Sequence, residues 1–377
     1  MIEYGWARRD EEEELLDFAN YVFSAADKPV DFRRLLPKVY EKPGFSEISV
    51  VAREGGRIKA LANAVHGELR VGDEKLSWGY VGTVCVHPYM RGRGMMKRVV
   101  PMVMDSCARQ GCQFIALSGE RQLYRQFGFE DAGSLLSLNL TKASLSAARK
   151  GGIWDSFQFV KLEEAGEDAL AMAVRLHAGL GMAAIREKPE FITVLKSWQG
   201  QPYAVMREGE PFGYLYRVGG CIPEFALQDN GAAPSVFASF LEREGLDEAQ
   251  VSPCLFDMPR YTALFQASDS FEIKPSCMIR VLDWKGFIGA LLKLQGSIAR
   301  LIPGKAVLAI GEEARLLITV DDKGTQVQES NQEADLNLDP QAAVRLLSHP
   351  LSQTLYPDHP FANWFPLPFQ FPRADMF

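Results

Sequence analysis

A strand, a glycine-rich loop and a helix follow one another directly between residues 78 and 110, and this junction limits the possible folds most. Residues 78–87, WGYVGTVCVH, form an apolar run that ends at Pro88 and predicts a buried strand. The loop after it, RGRGMM, opens onto a predicted helix over residues 95–110 that ends at Gly111. Such a junction directs several main-chain N–H groups and the positive end of a helix at one point, which suits a diphosphate.

The elements around this junction predict a mixed α+β chain with an internal duplication. The first part shows the order helix, strand, strand, strand, helix, strand, short helix, and residues 155–280 repeat the later part of that order, with one strand predicted at residues 251–257. From residue 278 the pattern changes to short strands and two helices. The aromatic and proline-rich end, PFANWFPLPFQF, is expected to pack into apolar grooves.

Length and composition exclude several classes of protein. A chain of 377 residues with 47% apolar residues predicts a globular protein of two or three domains. The net charge of −7 argues against a non-specific nucleic-acid binder and mildly favours cationic partners. No apolar run approaches the roughly 18–20 residues of a membrane span, and the N-terminus lacks a signal-peptide pattern. Six scattered cysteines without a CxxC pair predict reduced thiols, no metal site and a cytoplasmic protein.

Two motifs make the first part of the chain resemble the GNAT superfamily of acetyl-CoA-dependent N-acetyltransferases. The superfamily's Q/R-x-x-G-x-G/A motif reads RGRGMM at residues 91–96, with Met96 at the last position in place of Gly or Ala. The Y-x-x-x-G-F signature is matched by LYRQFGF at residues 123–129. The whole chain is similar to the enhanced intracellular survival (Eis) branch, in which the last position of the first motif is also bulky.

The resemblance implies an architecture of three domains. A catalytic GNAT domain is expected at residues 1–150, a degenerate GNAT-like α/β domain at 151–277, and an α+β domain resembling sterol carrier proteins at 278–377. The turn of the second domain, NGAAP at residues 230–234, lacks the arginines and the second glycine, so that domain is expected to bind no CoA. The resemblance also implies a homo-oligomer, and relatives of the Eis branch form hexamers.

The same resemblance implies an activity and a set of site residues. The activity is transfer of an acetyl group from acetyl-CoA to a primary amine of an aminoglycoside, polyamine or lysine, by direct attack in a ternary complex. Tyr124 is expected as the general acid and the terminal carboxylate, on Phe377, as the general base. Asp27 and Asp31 are candidates for holding a cationic acceptor, and the cofactor-binding residues are Val84, Cys85, Val86, Arg91, Gly92, Arg93, Gly94, Met95 and Met96.

Elementary chemistry supports these roles and leaves alternatives open. The strand at residues 78–87 carries no carboxylate, which favours a base from elsewhere, such as the terminus, and the N–H of Val86 could stabilise the oxyanion. His87 and Glu120 are alternative acid–base groups, although an exposed histidine and a solvated carboxylate are the simpler interpretations. The rival function is a lipid or small-ligand carrier with a vestigial acetyltransferase domain.

Overall fold

A computed structural model describes residues 1–26, 28–149, 155–361 and 363–377. Its strands are β1 (Ile2–Trp6), β2 (Ser49–Glu54), β3 (Arg57–Val71), β4 (Glu74–Val86), β5 (Phe114–Leu117), β6 (Glu130–Ala132), β7 (Leu135–Thr141), β8 (Gln158–Lys161), β9 (Met182–Ala184), β10 (Gln201–Arg207), β11 (Glu210–Val218), β12 (Cys221–Leu227), β13 (Glu248–Val251), β14 (Ser270–Lys274), β15 (Cys277–Val281), β16 (Gly304–Ile310), β17 (Ala314–Asp321), β18 (Gly324–Glu329) and β19 (Leu336–Leu338).

Helices occur between groups of these strands along the described chain, which confirms the predicted mixed α+β class. They are α1 (Glu12–Ser24), α2 (Phe32–Leu35), α3 (Pro37–Tyr40), α4 (Met96–Arg109), α5 (Arg121–Tyr124), α6 (Lys142–Ala148), α7 (Glu167–Ala178), α8 (Phe191–Lys196), α9 (Ala233–Glu244), α10 (Thr262–Gln266), α11 (Trp284–Ile298), α12 (Pro340–Ser348) and α13 (Ser352–Leu355).

The described chain divides into two compact units, each assembled from separate stretches of sequence. Unit 1 consists of Met1–Gly133, Pro275–Phe369 and Met376–Phe377, and unit 2 consists of Ser134–Lys274 and Gln370–Asp375. The three-domain division expected from the sequence remains a prediction.

Unit 1 contains two sheets. In the larger one the strand order is β1-β2-β3-β4-β5-β15-β6, and among the described pairs of this order β4 and β5 are the parallel one. Helix α4 packs one face on β2, β3 and β4 through Val99, Val100, Val103, Met104 and Cys107, all of which are buried. These residues recur at the helical period, so burial of this stripe fixes the helix on the sheet. The smaller sheet has the order β18-β17-β16-β19.

Unit 2 is built on one sheet with the order β14-β7-β13-β12-β11-β10-β8. Its only parallel pair among the described strands joins β12 and β13. The strand predicted at residues 251–257 was placed too late in the sequence, because β13 ends at Val251 and a 3₁₀ turn occupies Leu255–Tyr261. Pro253 explains the error, since proline has no N–H to donate within a sheet.

Strands β7 and β15 do not join the sheet of the strand that precedes each of them in the sequence, and we call this the strand exchange. β15 lies between β5 and β6 in the sheet of unit 1, pairing antiparallel with both. β7 lies between β14 and β13 in the sheet of unit 2. The chain therefore passes from the larger sheet of unit 1 to the sheet of unit 2 between β6 and β7. This change does not occur at residue 150, the boundary expected from the sequence.

The aromatic C-terminal segment packs as predicted from its composition. Phe361, Trp364, Phe365 and Phe369 are all buried in unit 1. The Phe369 ring centroid lies 5.5 Å from those of both Phe114 and Phe287, with edge-to-face geometry. Such aromatic pairs add about 0.5–1.5 kcal/mol each beyond the area that they bury.

Candidate active site

A cleft opens in unit 1 where β4 separates from its parallel neighbour β5. The two strands pair only over Trp78–Tyr80 of β4. β4 then continues to Val86, whereas β5 ends at Leu117. Beyond Tyr80, no strand of the described chain pairs with that edge of β4. Its main-chain groups are therefore available to a ligand.

A β-bulge changes the direction of β4 beside this cleft. The register with β3 shifts between Leu61 and Asn63, so that residues 83 and 84 both oppose Ala62. Thr83 has φ = +46°, a conformation that β-branched residues rarely adopt. Bulges bend a strand and re-aim its side chains, and they recur beside active sites.

Buried hydrogen bonds hold the bulge. The Tyr40 hydroxyl donates to Thr83 Oγ1 at 2.7 Å, and the Asn63 side-chain amide donates to the Tyr40 hydroxyl at 2.9 Å. All three residues are buried. Burial raises the pKa of Tyr40 well above its usual range, so this hydroxyl stays protonated and remains a donor.

The hydrogen-bonding pattern directs the N–H of Val86 into the cleft. The N–H of the next residue, His87, donates to the carbonyl of Lys59 on the other side of β4 at 2.9 Å. In an antiparallel pair, successive residues alternate between facing the partner strand and facing away from it. The Val86 N–H therefore points away from β3, to the open edge of β4.

The loop after β4 presents free main-chain donors. Gly92 and Gly94 have φ of +79° and +75°, and both have open space where a side chain would begin. None of the N–H groups of residues 92–97 donates to another residue of the described chain. Because α4 begins at Met96, these donors combine with the positive end of its dipole. The loop is thus built to bind an anion.

The arginines of the loop differ in their contacts. Arg91 is exposed and lines the cleft, as does Lys97. Arg93 instead forms an ion pair with Glu54 at 3.0 Å and does not line the cleft. The cleft therefore has two basic side chains near its anion-binding end.

The cleft is a cavity of about 650 Å³, and its walls are β4, the loop, α4, α5 and the end of α1. Every residue predicted to bind the cofactor lines it except Arg93. Phe23 and Ala26 also line it and fall in the stretch, about residues 23–32, where the resemblance implies the acceptor pocket. The other lining residues besides Glu120 come close only through the fold: Val22, Met90, Lys97, Leu123 and Gln126.

Tyr124 lies at the end of α5 beside the cavity. It is buried, its ring meets Phe129 edge-to-face, and it fills the space where a side chain of Gly119 would begin. No residue of the described chain forms a hydrogen bond with its hydroxyl. Burial, together with Cys85 and Glu120, raises the pKa of Tyr124 to about 12. The phenol is therefore fully protonated at neutral pH and can act as a proton donor.

Phe377 is buried against β4. Its main-chain oxygen and its ring both lie 2.8 Å from the point where a side chain of Gly82 would begin. The ring centroid is 6.1 Å from that of Tyr40, and Lys38 Nζ donates to the carbonyl of Met376. These contacts place the residue beside the bulge that ends at Val84.

The two aspartates predicted to hold a cationic acceptor have different outcomes. Asp27 lies outside the described residues. The carboxylate of Asp31 caps α2 by accepting from the N–H groups of Arg33 and Arg34, at 3.1 and 3.4 Å. It does not line the cavity. Its role in acceptor binding remains a prediction.

The two alternative acid–base residues differ in position. His87 lies in an aromatic cluster with Phe18, Tyr21 and Tyr89, and its Nδ1 accepts from the Tyr89 N–H at 3.3 Å. Glu120 lines the cavity and is the one carboxylate among the described lining residues. Glu120 is therefore available to a cationic group in the cavity.

The described residues contain no cluster of three or more His, Cys, Asp or Glu side chains that could hold a metal ion. Within the same residues, no helix combines the length and the apolar character needed to cross a membrane.

Comparison with known proteins identifies the first part of the chain. Residues 3–132 match the family model described as an acetyltransferase (GNAT) domain. The chain carries a GNAT acetyltransferase domain. For residues 3–132, this confirms the GNAT family and the enzyme class, an N-acetyltransferase, that were predicted from the sequence. No curated protein sequence matches the chain.

Several solved structures share the fold over nearly the entire chain. Eis1 from Mycobacterium abscessus aligns over 100% of both chains, with a TM-score of 0.65 and 15% identity. A GCN5-related N-acetyltransferase from Anabaena variabilis aligns over 100% of both chains, with a TM-score of 0.67 and 15% identity. A conserved Enterococcus faecalis protein, described as a probable N-acyltransferase, covers 95% of this chain and 93% of its own, with a TM-score of 0.67 and 17% identity. At these identities the likeness concerns the fold.

Proposed function

We propose that this GNAT enzyme transfers an acetyl group from acetyl-CoA to a primary amine of a cationic acceptor, by direct attack in a ternary complex. The carrying observation is the cavity of about 650 Å³ that joins an anion-binding loop to the unpaired edge of β4, with the protonated phenol of Tyr124 on α5, whose residue Leu123 lines the cavity. An aminoglycoside, a polyamine and a lysine side chain are the acceptors to test.

The cavity supports the donor. The free N–H groups of residues 92–97, with Arg91 and Lys97, would bind the diphosphate of acetyl-CoA. The unpaired edge of β4 would bind the amide groups of its extended arm as an added strand would. The thioester would then lie near Val86, whose N–H faces the cleft.

The chemistry requires a base, an oxyanion donor and an acid. An amine with a pKa of about 10.4 is protonated at pH 7, and freeing its lone pair costs about 4–5 kcal/mol. The amine nitrogen then attacks the thioester carbon, forming the C–N bond and an oxyanion that the Val86 N–H stabilises. Collapse breaks the C–S bond, and Tyr124 gives its proton to the departing thiolate. The amine gives one proton to the base before attack, and its nitrogen loses a second after the C–N bond forms. One of these two protons restores the phenol, and the other passes to solvent.

We propose the terminal carboxylate, on Phe377, as the base. Its place beside Gly82 and the bulge, and the contacts from Lys38 and Tyr40, support this role. A free α-carboxyl has a pKa of about 3.3–3.7, so it would act through water or after losing its own hydration. Glu120 would attract the acceptor's ammonium group into the cavity.

The proposal assigns no cofactor to unit 2. Two cavities adjoin its parallel pair β12–β13, one of about 40 Å³ and one of about 430 Å³. The first is too small for a cofactor, and the second is lined by the carboxylates of Glu248 and Glu272 and by no basic side chain of the described residues, which does not suit a diphosphate. Both observations support a degenerate GNAT-like domain that binds no CoA. A sterol-carrier-like third domain, a hexamer and a cytoplasmic location belong to the same proposal.

Calorimetric titration of acetyl-CoA into the purified, untagged protein tests the donor site. We expect one site per chain, and an affinity loss of about tenfold or more, about 1.4 kcal/mol, in Gly94→Asp because it places a negative charge at the loop. Gly56→Asp is the matched control, since Gly56 has φ = +74° and the same open surroundings. Two sites would contradict the assignment of unit 2. No binding at millimolar acetyl-CoA would favour the carrier function.

A further inference from the structure

The residues that carry Tyr124 form a short, irregular segment that cannot hold its own position. This tyrosine segment, residues 121–129, consists of the four-residue helix α5, a 3₁₀ turn over Arg125–Phe127, and Gly128 with φ = +86° before Phe129. A helix of one turn has little stability alone, because nucleation fixes several residues for one hydrogen bond. Contacts from outside the segment must therefore set the direction of the Tyr124 side chain.

The first outside contact is the buried carboxylate of Glu130. Its side chain is fully buried, and it accepts from Arg121 Nε at 2.6 Å and Arg121 Nη2 at 2.9 Å. Arg345 of α12 donates to the same carboxylate. Burial alone would raise the pKa of Glu130, but the hydrogen bonds from Arg121, the Asp131 N–H and Arg345 outweigh burial and lower it. The carboxylate thus stays charged and links α5 to α12.

Two further contacts fix the main chain of the segment. Gln341 Nε2, also on α12, donates to the carbonyls of Arg125 and Phe129, both at 2.9 Å. Arg280 Nη1, on β15, donates to the carbonyl of Phe127 at 2.9 Å. These carbonyls lie at the irregular end of the segment, where no regular helix could satisfy them.

The geometry points to a positioning role for the part of unit 1 that follows residue 275. Arg280, Gln341 and Arg345, acting with Glu130, hold the tyrosine segment so that Tyr124 faces the reacting thioester. They are positioning residues, since they act through Tyr124. This inference rests on the proposed function, because it requires Tyr124 to be the acid.

We call the contacts of Arg280, Gln341, Arg345 and Glu130 with the tyrosine segment the clamp. Loss of the clamp changes turnover more than it changes the binding of acetyl-CoA. The anion-binding loop and β4 make no use of the clamp residues, so the KM for acetyl-CoA stays within about twofold of wild type. A misplacement of about 1 Å at a catalytic group can cost on the order of 10²-fold in rate, so we expect kcat to fall at least tenfold. Without Arg345, the buried Glu130 keeps Arg121 but loses its link to α12, which loosens the segment.

Three variants test the clamp in the full-length protein. Arg345→Met and Gln341→Ala remove donors on α12, and Arg345→Lys keeps a donor and is expected to recover part of kcat. Glu329→Gln is the control, because Glu329 forms an exposed pair with Lys285 at 3.2 Å in the same stretch of chain. The readouts are kcat and KM for acetyl-CoA, amide hydrogen exchange over residues 121–129, and a double mutant with Tyr124→Phe.

The expected result is a lower kcat, an unchanged KM, faster exchange over residues 121–129, and no additional loss of kcat in the Tyr124→Phe background. Wild-type kcat and exchange in Arg345→Met and Gln341→Ala would overturn the inference. A loss of kcat that adds fully to that of Tyr124→Phe would also overturn it, because the residues would then act elsewhere. Failure of the proposed function is visible separately, as absent acetyl transfer in wild type.

Discussion

At the scale of single residues, Tyr124 is the proposed acid. Burial raises its pKa above the usual value, so the phenol is protonated throughout the neutral range, as the proposed donation to a departing thiolate requires. Removing its hydroxyl while keeping the ring should leave the apolar packing on Phe129 intact. The effect of such a change would therefore report on proton donation.

We expect Tyr124→Phe to reduce kcat by about 10²-fold, the usual size of a general-acid contribution, with little change in the KM for acetyl-CoA. Steady-state kinetics measures both. Tyr203→Phe, which removes a hydroxyl of unit 2 bonded to Gln201, should have wild-type kinetics. Because the phenol's pKa is raised, its deprotonation should lower kcat only as the pH approaches 12. Equal turnover in Tyr124→Phe and wild type would remove the residue from the mechanism.

Gly82 should tolerate no side chain, because Phe377 occupies that space. A Cβ added at Gly82 would lie 2.8 Å from the main-chain oxygen of Phe377, closer than carbon and oxygen approach. We expect Gly82→Ala to displace Phe377 and reduce kcat at least about tenfold if the terminal carboxylate is the base. Gly5→Ala on β1, with no atom within 4 Å, is the control. Steady-state kinetics of the two variants tests this expectation. Normal turnover in Gly82→Ala would contradict the proposed role of Phe377 as the base.

At the scale of elements, the bulge in β4 depends on a neighbouring helix. Tyr40 ends α3, and its hydroxyl bonds to Thr83, the residue with φ = +46°. We expect Tyr40→Phe to destabilise the protein by about 1–3 kcal/mol, because Thr83 and Asn63 lose a buried partner. It should also weaken acetyl-CoA binding, since the bulge sets the direction of β4. Chemical denaturation and calorimetry measure the two effects, and Tyr4→Phe on the edge strand β1 serves as control.

The elements show what local sequence could predict. The strand, loop and helix of residues 78–110 were located to within a few residues, because alternating apolar residues, glycines and Pro88 act locally. The exchange of β7 and β15 was missed, since nothing near either strand encodes its distant partners. Glu11 illustrates the same limit: an acidic run at residues 10–14 predicts a solvated helix start, yet Glu11 is buried on Arg53.

In the candidate site too, the features encoded by neighbouring residues could be predicted, and those formed by distant residues could not. The glycines of the loop and Tyr124 belong to compact motifs, so they could be found in the sequence. The α1 wall of the cavity and the clamp on Glu130 are formed by residues far apart in the chain. Charge patterns alone do not show that Arg121 and Arg345 share one carboxylate, because that requires the position of α12.

At the scale of the whole molecule, a buried ion network joins three distant stretches of unit 2. Arg186 donates to Glu224 at 2.8 Å and to Asp375 at 2.6 Å, and Tyr214 donates to Glu224 at 2.8 Å. Burial alone would raise the pKa of Glu224, but the charge of Arg186, with His177, holds it far below its usual range. The network ties the segment Gln370–Asp375 into this unit.

This network should make unit 2 sensitive to acid. Because the folded pKa of Glu224 lies below its unfolded value of about 4.3, its contribution is present above that pH and is lost as the pH falls below it. We expect Glu224→Gln to destabilise unit 2 at pH 7 by about 3–5 kcal/mol and to flatten the acid dependence of its stability. Hydrogen exchange of unit 2 between pH 7 and 3 measures this. Asp247→Asn, which breaks an exposed pair with Lys142, should match wild type at every pH.

The strand exchange also has a consequence for how the chain is made. β5 leaves the ribosome about 160 residues before β15, its partner in the finished sheet. At a synthesis rate of about 5–20 residues per second, the larger sheet of unit 1 has an unpaired edge at β5 for roughly 8–32 seconds. An open edge can pair with strands of other chains, so the nascent protein is prone to aggregation until β15 has been made and covers β5.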